Sequence, residues 1–148
     1  MKKTIFFILF LITSLSFSQE ELTIIEKETE LKELPFAVIE EIPVFQGCED
    51  VEKNERMNCF NAKMNEHVKK NFIYPSKALK KNIEGKVYVQ FVIDKEGNVV
   101  DVQTRGADPI LQTEARRIFS LLPKFKPGFQ KGKPVNVRYA MPLNFRLR

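Results

Sequence analysis

"GKVYVQFVIDKEGNVVDV", residues 85–102, reads as two β-strands joined by a tight loop. Successive side chains of a strand point to opposite sides, so Val87, Val89, Phe91 and Ile93 share one face and Lys86, Tyr88 and Gln90 the other. "DKEGN" makes the turn, with Gly97 free to take the positive φ that such a hairpin loop requires. The return strand sets Val100, Val102 and Thr104 opposite. One face of this hairpin is apolar, and the rest of the chain has to supply what covers it.

Downstream, "ADPILQTEARRIFSLLP" (107–123) opens a helix with Asp108 as N-cap and Pro109 in the first turn. Ile110, Leu111, Ala115, Ile118, Phe119 and Leu122 form its apolar stripe, and Pro123 stops it. In "PVNVRYAMPLNFRLR" (134–148), Val135, Val137, Tyr139, Met141, Leu143, Phe145 and Leu147 alternate without a break, which predicts one long strand with one buried face. Upstream, Met57, Phe60, Met64, Val68 and Phe72 recur at helical spacing from Arg56, with His67 beside the stripe as a boundary residue. Tyr74-Pro75 breaks that helix, Pro75 opens a short second one, and Gly85 ends it. The order helix, short helix, strand, strand, helix, strand predicts an α+β fold. It is a two-layer sandwich of a three-stranded antiparallel sheet with helices on one face.

Pro142 lies inside the last strand. Proline has no N–H, so it is tolerated only where no ladder bond is needed. Asn136, Arg138, Ala140 and Asn144 share its parity, so their backbone groups point away from the sheet, and the C-terminal strand is predicted to be an edge. An open edge can accept an extended peptide, with main-chain hydrogen bonds for affinity and neighbouring side chains for specificity. The bland alternative is an edge that pairs with nothing or with its twin in a homodimer.

The chain has 148 residues and is 43% apolar, enough for one domain with a core of its own. Residues 19–52 hold eleven acidic against two basic residues, a balance of −9, and residues 53–148 hold twenty basic against eight acidic, a balance of +12. An acidic lead therefore precedes a basic domain. Lys2 and Lys3, the apolar run to Phe17 and the small residues Ser16 and Ser18 read as a signal peptide over 1–18. Residues 4–17 as a helix span about 21 Å, short of the roughly 30 Å of a bilayer core. An uncleaved inner-membrane anchor facing the periplasm is the alternative. Residues 19–47 read as an acidic, flexible or extended lead, and 48–148 as the domain, its core at 70–148. "PFAVIEEIPVF" (35–45) is extended, either lying along the domain or loose. In an oxidising compartment, Cys48 and Cys59 flanking "EDVEKNERMN" suggest a disulfide, with two separate thiols as the alternative.

Catalytic and cofactor chemistry find little support. A zinc site needs four ligands and the chain has one histidine. "GFQKGKP" (128–134) is one residue short of a phosphate loop, ends in Pro134 and precedes a strand instead of a helix. "GKVYVQFV" is a poor match to an RNA-recognition strand, and an export signal disfavours nucleic acid as a partner. No cofactor, metal or catalytic set is expected.

Taken in order, "YPSKAL", "EGKVYVQFVIDKEGNVVDV", "ADPILQTEARRIFSLLPKFKPG" and "GKPVNVRYAMPLNF" resemble the C-terminal domain of the TonB energy-transducer family over residues 70–148. The flanking "PFAVIEEIPVFQGCE" and "CFNAKMNEHVKKNFIYP" are similar to the versions found in Bacteroidetes-type bacteria. The resemblance implies a periplasmic domain that adds the TonB box of an outer-membrane TonB-dependent transporter beside its last strand. It assigns partner binding to Val135, Asn136, Val137, Arg138, Tyr139, Ala140, Met141 and Asn144, with Tyr74 and Pro75 nearby. Family members couple the proton motive force, through ExbB and ExbD, to nutrient uptake. This chain departs from a full transducer in its short apolar segment and in having no long spacer. Residues 19–46 fully extended reach only about 95 Å. The expectation is a soluble or weakly anchored adaptor, with a TolA-like envelope linker or a regulatory binding module without energy transduction as the alternative.

Overall fold

The structure is a computed structural model that describes residues 33–147. The expected signal peptide at 1–18 and the lead from 19 to 32 lie outside these residues.

The hairpin at the centre forms as its alternation requires. β2 (Gly85–Ile93) pairs antiparallel with β3 (Val99–Gly106), and Val87, Val89, Phe91 and Ile93 are all essentially inaccessible. The Asp94 side chain holds the turn by accepting from the Glu96 N–H at 2.9 Å and the Asn98 N–H at 2.8 Å. Gly97 takes φ +88°, and a Cβ there would stand 1.8 Å from the Phe125 carbonyl oxygen. The return strand departs from the expected pattern at one point. Asp101 adopts φ 51°, and the register shifts so that Asp101 and Val102 together oppose Phe91. This β-bulge turns Val100 to the outer face, where it pairs with Val92 and is 42% exposed, while Val102 and Thr104 keep the helix-facing side.

Two longer helices and a short one cover the apolar face. α1 (Arg56–Asn71) buries Phe60, Met64 and Val68, whereas Met57 in its first turn stays exposed. α2 (Ser76–Lys80) begins after Pro75, and α3 (Pro109–Ser120) is capped by the Asp108 carboxylate, which accepts from the Ile110 N–H at 2.8 Å. α3 buries Leu111, Ala115, Ile118 and Phe119. His67 is structural. Its Nε2 lies 2.9 Å from the Ile118 carbonyl, an acceptor only, so Nε2 carries the proton and Nδ1 accepts from Asn71. Arg117 ties the same helices by donating to the Asn71 carbonyl and to Glu114, whose carboxylate accepts from the Ile73 N–H.

The C-terminal region corrects two expectations. The predicted strand from Val135 onward is broken at Asn136. Its body is β6 (Val137–Phe145), antiparallel to β2 through nine residue pairs, while Val135 belongs to β5 (Lys133–Val135), hairpinned to β4 (Gly128–Gln130). The turn between them is Lys131-Gly132, both at positive φ, the conformation a two-residue hairpin loop favours. Among the described residues the main sheet has four strands, ordered β1-β6-β2-β3, where β1 is Leu34–Pro35 running parallel to β6. The fold is therefore α+β with a mixed sheet; the expected three-stranded antiparallel unit, β6-β2-β3, carries a fourth strand from the lead.

That lead is packed against the domain from Glu33 onward. After β1 a single 3-10 turn, Phe36–Val38, buries Phe36 between Phe60 and Tyr139, each ring centroid 4.8 Å away. Glu41 then bridges to Phe129 and Val44 to Lys126, and Phe45 packs edge-on to Phe125. Cys48 is bonded to Cys59 with Cα atoms 6.0 Å apart, fastening the end of this segment to the first turns of α1. Apolar residues Phe36, Val44 and Phe45 thus fill a core that the three-stranded unit alone leaves unfinished.

Candidate binding edge of the sheet

β6 alternates cleanly: Val137, Leu143 and Phe145 are buried and Tyr139 and Met141 half-buried, while Arg138, Ala140, Pro142 and Asn144 are exposed. Its backbone directions follow from one bond. The Leu34 N–H donates to the Asn136 carbonyl at 2.9 Å from the side opposite β2. Residues two apart along a strand direct their N–H and C=O groups the same way. Asn136, Arg138, Ala140, Pro142 and Asn144 therefore point outward, and Pro142, opposite Tyr88, sits where no N–H is required by β2.

This flank is not wholly open. β1 covers its beginning, in register Leu34 to Val137 and Pro35 to Arg138, and the Glu33 carboxylate pairs with the Arg138 guanidinium. The expectation of a vacant edge along the full strand is corrected accordingly. From Ala140 on, no strand pairs with the outer side of β6 among the described residues. The groups left there are the N–H and C=O of Ala140, the C=O of Pro142, and the N–H and C=O of Asn144.

The ten residues assigned to binding on sequence grounds fall into distinct places. Ala140 and Asn144 lie on the uncovered flank. Met141 and Tyr139 point to the helix side, where the Tyr139 hydroxyl donates to Asn61 Oδ1 at 3.2 Å and burial raises its pKa. Val137 is buried, and Arg138 is engaged by Glu33. Val135 is paired with Gly128 in the separate hairpin. Asn136 has its carbonyl taken by Leu34, and its side chain accepts from the Lys95 N–H at 3.1 Å. Tyr74 is a lock: its hydroxyl donates to the Ile83 carbonyl at 2.7 Å, and its ring stands edge-on to Phe145, 5.9 Å between centroids. Burial, then the charge of Glu84, raises its pKa. That contact sets Tyr74 and Pro75, the residue preceding α2, at the Asn144 end of the flank.

Sequence reasoning missed Glu33, Leu34, Pro35 and Phe36. A two-residue strand has no periodicity, and the one usable signal was an aromatic residue following a proline inside an acidic stretch. The opposite edge, β3, also has no partner on its outside among the described residues, but the bulge at Asp101 and the charges of Asp101 and Arg105 make it a poor template for a further strand. On the face of the sheet away from the helices, Tyr88 and Val100 are exposed while Val92 is buried. Tyr88 lies at its centre beside Pro142, with Lys86 Nζ and Arg105 Cζ 5.9 and 5.6 Å from its ring centroid.

The family model of the Gram-negative bacterial TonB protein C-terminal domain matches residues 70–147, and the chain belongs to that family. Among solved structures it is similar to the TonB C-terminal domain of Helicobacter pylori, at 24% identity over 68% of this chain and 87% of that one, TM-score 0.48. It is also similar to that of Pseudomonas aeruginosa, at 28% identity over 51% of this chain and 77% of that one, TM-score 0.41. No curated protein sequence matches it. No helix among the described residues is long and apolar enough to cross a membrane.

Proposed function

We propose that this protein is a periplasmic TonB-type docking domain that receives the TonB box of an outer-membrane transporter as an added strand along the outer flank of β6. The observation that carries this reading is the row of backbone groups from Ala140 to Asn144 with no strand partner among the described residues, on a strand fixed on its other side by nine pairs to β2. An extended visitor would gain main-chain hydrogen bonds there. Its inward side chains would meet the helix-facing side near Tyr139 and Met141, both partly buried, and so be selected for apolar character. The Cys48–Cys59 bond supports an oxidising compartment. The domain binds and positions; it has no chemical step of its own in this reading. Coupling to ExbB and ExbD belongs to an anchored form, in which residues 1–18 are retained.

Isothermal titration of the domain with synthetic peptides, each copying the TonB box of one transporter from the same cell, tests the proposal. Saturable one-to-one binding by at least one peptide, abolished when a proline is put at its central position, is the expected result. No heat from any peptide at high micromolar concentration would remove it.

A further inference from the structure

The beginning of the proposed docking edge is already occupied, by the protein's own chain. β1 lies where a visiting strand would start, and it is only two residues long. It meets β6 through two register pairs, with the Leu34 N–H donating to the Asn136 carbonyl at 2.9 Å, and Glu33 pairs with an Arg138 side chain that is itself 51% exposed. Pro35 ends the pairing: its missing N–H belongs to the side facing away from β6, so β1 offers no donor there for a further strand. The chain then leaves the edge through the 3-10 turn, and Phe36, only 8% exposed, anchors it against Phe60 and Tyr139.

We infer that Glu33–Pro35 is an internal occupant of the docking edge, which an incoming strand displaces; the inference rests on the docking reading above. Without displacement, a visitor has only the groups from Ala140 to Asn144, and one of those three residues is a proline. Release of β1 returns the Asn136 carbonyl and the outward groups of Arg138, nearly doubling the usable length, and frees the Arg138 guanidinium for an acidic side chain of the visitor. Phe36 keeps the released residues tethered beside the edge, so their return is intramolecular and fast compared with capture of a free peptide. The device sets a threshold: a segment long enough to reach Arg138 outcompetes β1, and a shorter one does not.

The test uses the full chain with Leu34→Pro, which removes the donor to Asn136 but keeps Phe36 and the disulfide, and Glu33→Ala, which removes the ion pair. Each is titrated with the tightest TonB-box peptide of the panel, and exchange of the Leu34 amide is followed in the unmutated protein. Displacement predicts that Leu34→Pro tightens binding about three- to tenfold, the weight of a backbone hydrogen bond, with a smaller gain, that of a screened ion pair, for Glu33→Ala. It also predicts that the Leu34 amide loses protection when peptide saturates the protein. Unchanged affinity with Leu34 still protected in the complex would overturn the displacement and leave the docking reading standing. Absence of binding by wild type and both variants would overturn the docking reading, and displacement with it.

Discussion

Glu33 and Arg138 are 105 positions apart in sequence, and their side chains form an ion pair that joins the acidic lead to the last strand of a basic domain. The relationship explains why the fold begins well before the stretch that carries the family pattern. The lead contributes a strand to a sheet whose other strands come from residues 85–145 and an aromatic anchor to its core, and Cys48, the residue that follows it, is bonded to Cys59.

The anchor carries more weight than the ion pair. Phe36 is nearly inaccessible and touches two rings, so Phe36→Ala is expected to cost about 3 kcal/mol, within the range for buried aromatic truncation. Glu33→Ala, at a partly solvated pair, should cost less than about 1 kcal/mol. Urea denaturation followed by far-UV circular dichroism separates the two; equal costs would show that the lead is held electrostatically.

Closing the loop between Cys48 and Cys59 should stabilise the fold by about 3 kcal/mol. Replacing both cysteines with serine is expected to lower stability by that order. It should also raise amide exchange at Glu41 and Val44, the residues that bridge to Phe129 and Lys126. Unaltered exchange at those two amides would mean that the bridges hold the lead without the disulfide.

Gly97 combines a left-handed backbone with a Phe125 carbonyl lying where a Cβ would go. Gly97→Ala is expected to cost at least about 2 kcal/mol, read as a fall in melting temperature, because both the turn and the segment entering β4 must shift. A melting temperature within one or two degrees of wild type would show that the turn relaxes freely.

Two tyrosines set an alkaline limit. Burial raises the pKa of Tyr139, and burial followed by the Glu84 charge raises that of Tyr74, both above the ordinary 10.0. The folded state therefore favours the neutral phenols. Their contribution is complete below pH 10.0 and is lost as pH climbs through the raised values, because the unfolded chain ionises first. Phenolate absorbance should show two groups titrating late, and Tyr139→Phe should flatten the fall in stability above pH 10.0.

Much of this architecture is legible in the sequence where a period is long enough to count. The stripes of α1 and α3, the Asp108 cap and the alternation of β2 and β6 follow from side-chain spacing. Pro142 alone indicated which way β6 faces. Legibility failed where the pattern is short or continues across a break. Val135 keeps the parity of Val137 although it belongs to another hairpin, so alternation ran through Asn136 unnoticed. Lys131-Gly132, in the stretch whose likeness to a phosphate loop fails on length, Pro134 and the strand that follows, is a hairpin turn. The bulge at Asp101 reverses one side chain without changing composition. β1 exists only because Phe36, Cys48 and their distant partners place it, and two residues carry no period of their own.

The central claim concerns the outer flank of β6, and backbone amide exchange by NMR with and without a bound TonB-box peptide tests it most directly. The account predicts that the amides of Ala140 and Asn144 become protected on binding while those along the outer side of β3 do not change. Protection appearing along β3, or a bound peptide that leaves Ala140 and Asn144 exchanging as in the free protein, would contradict it.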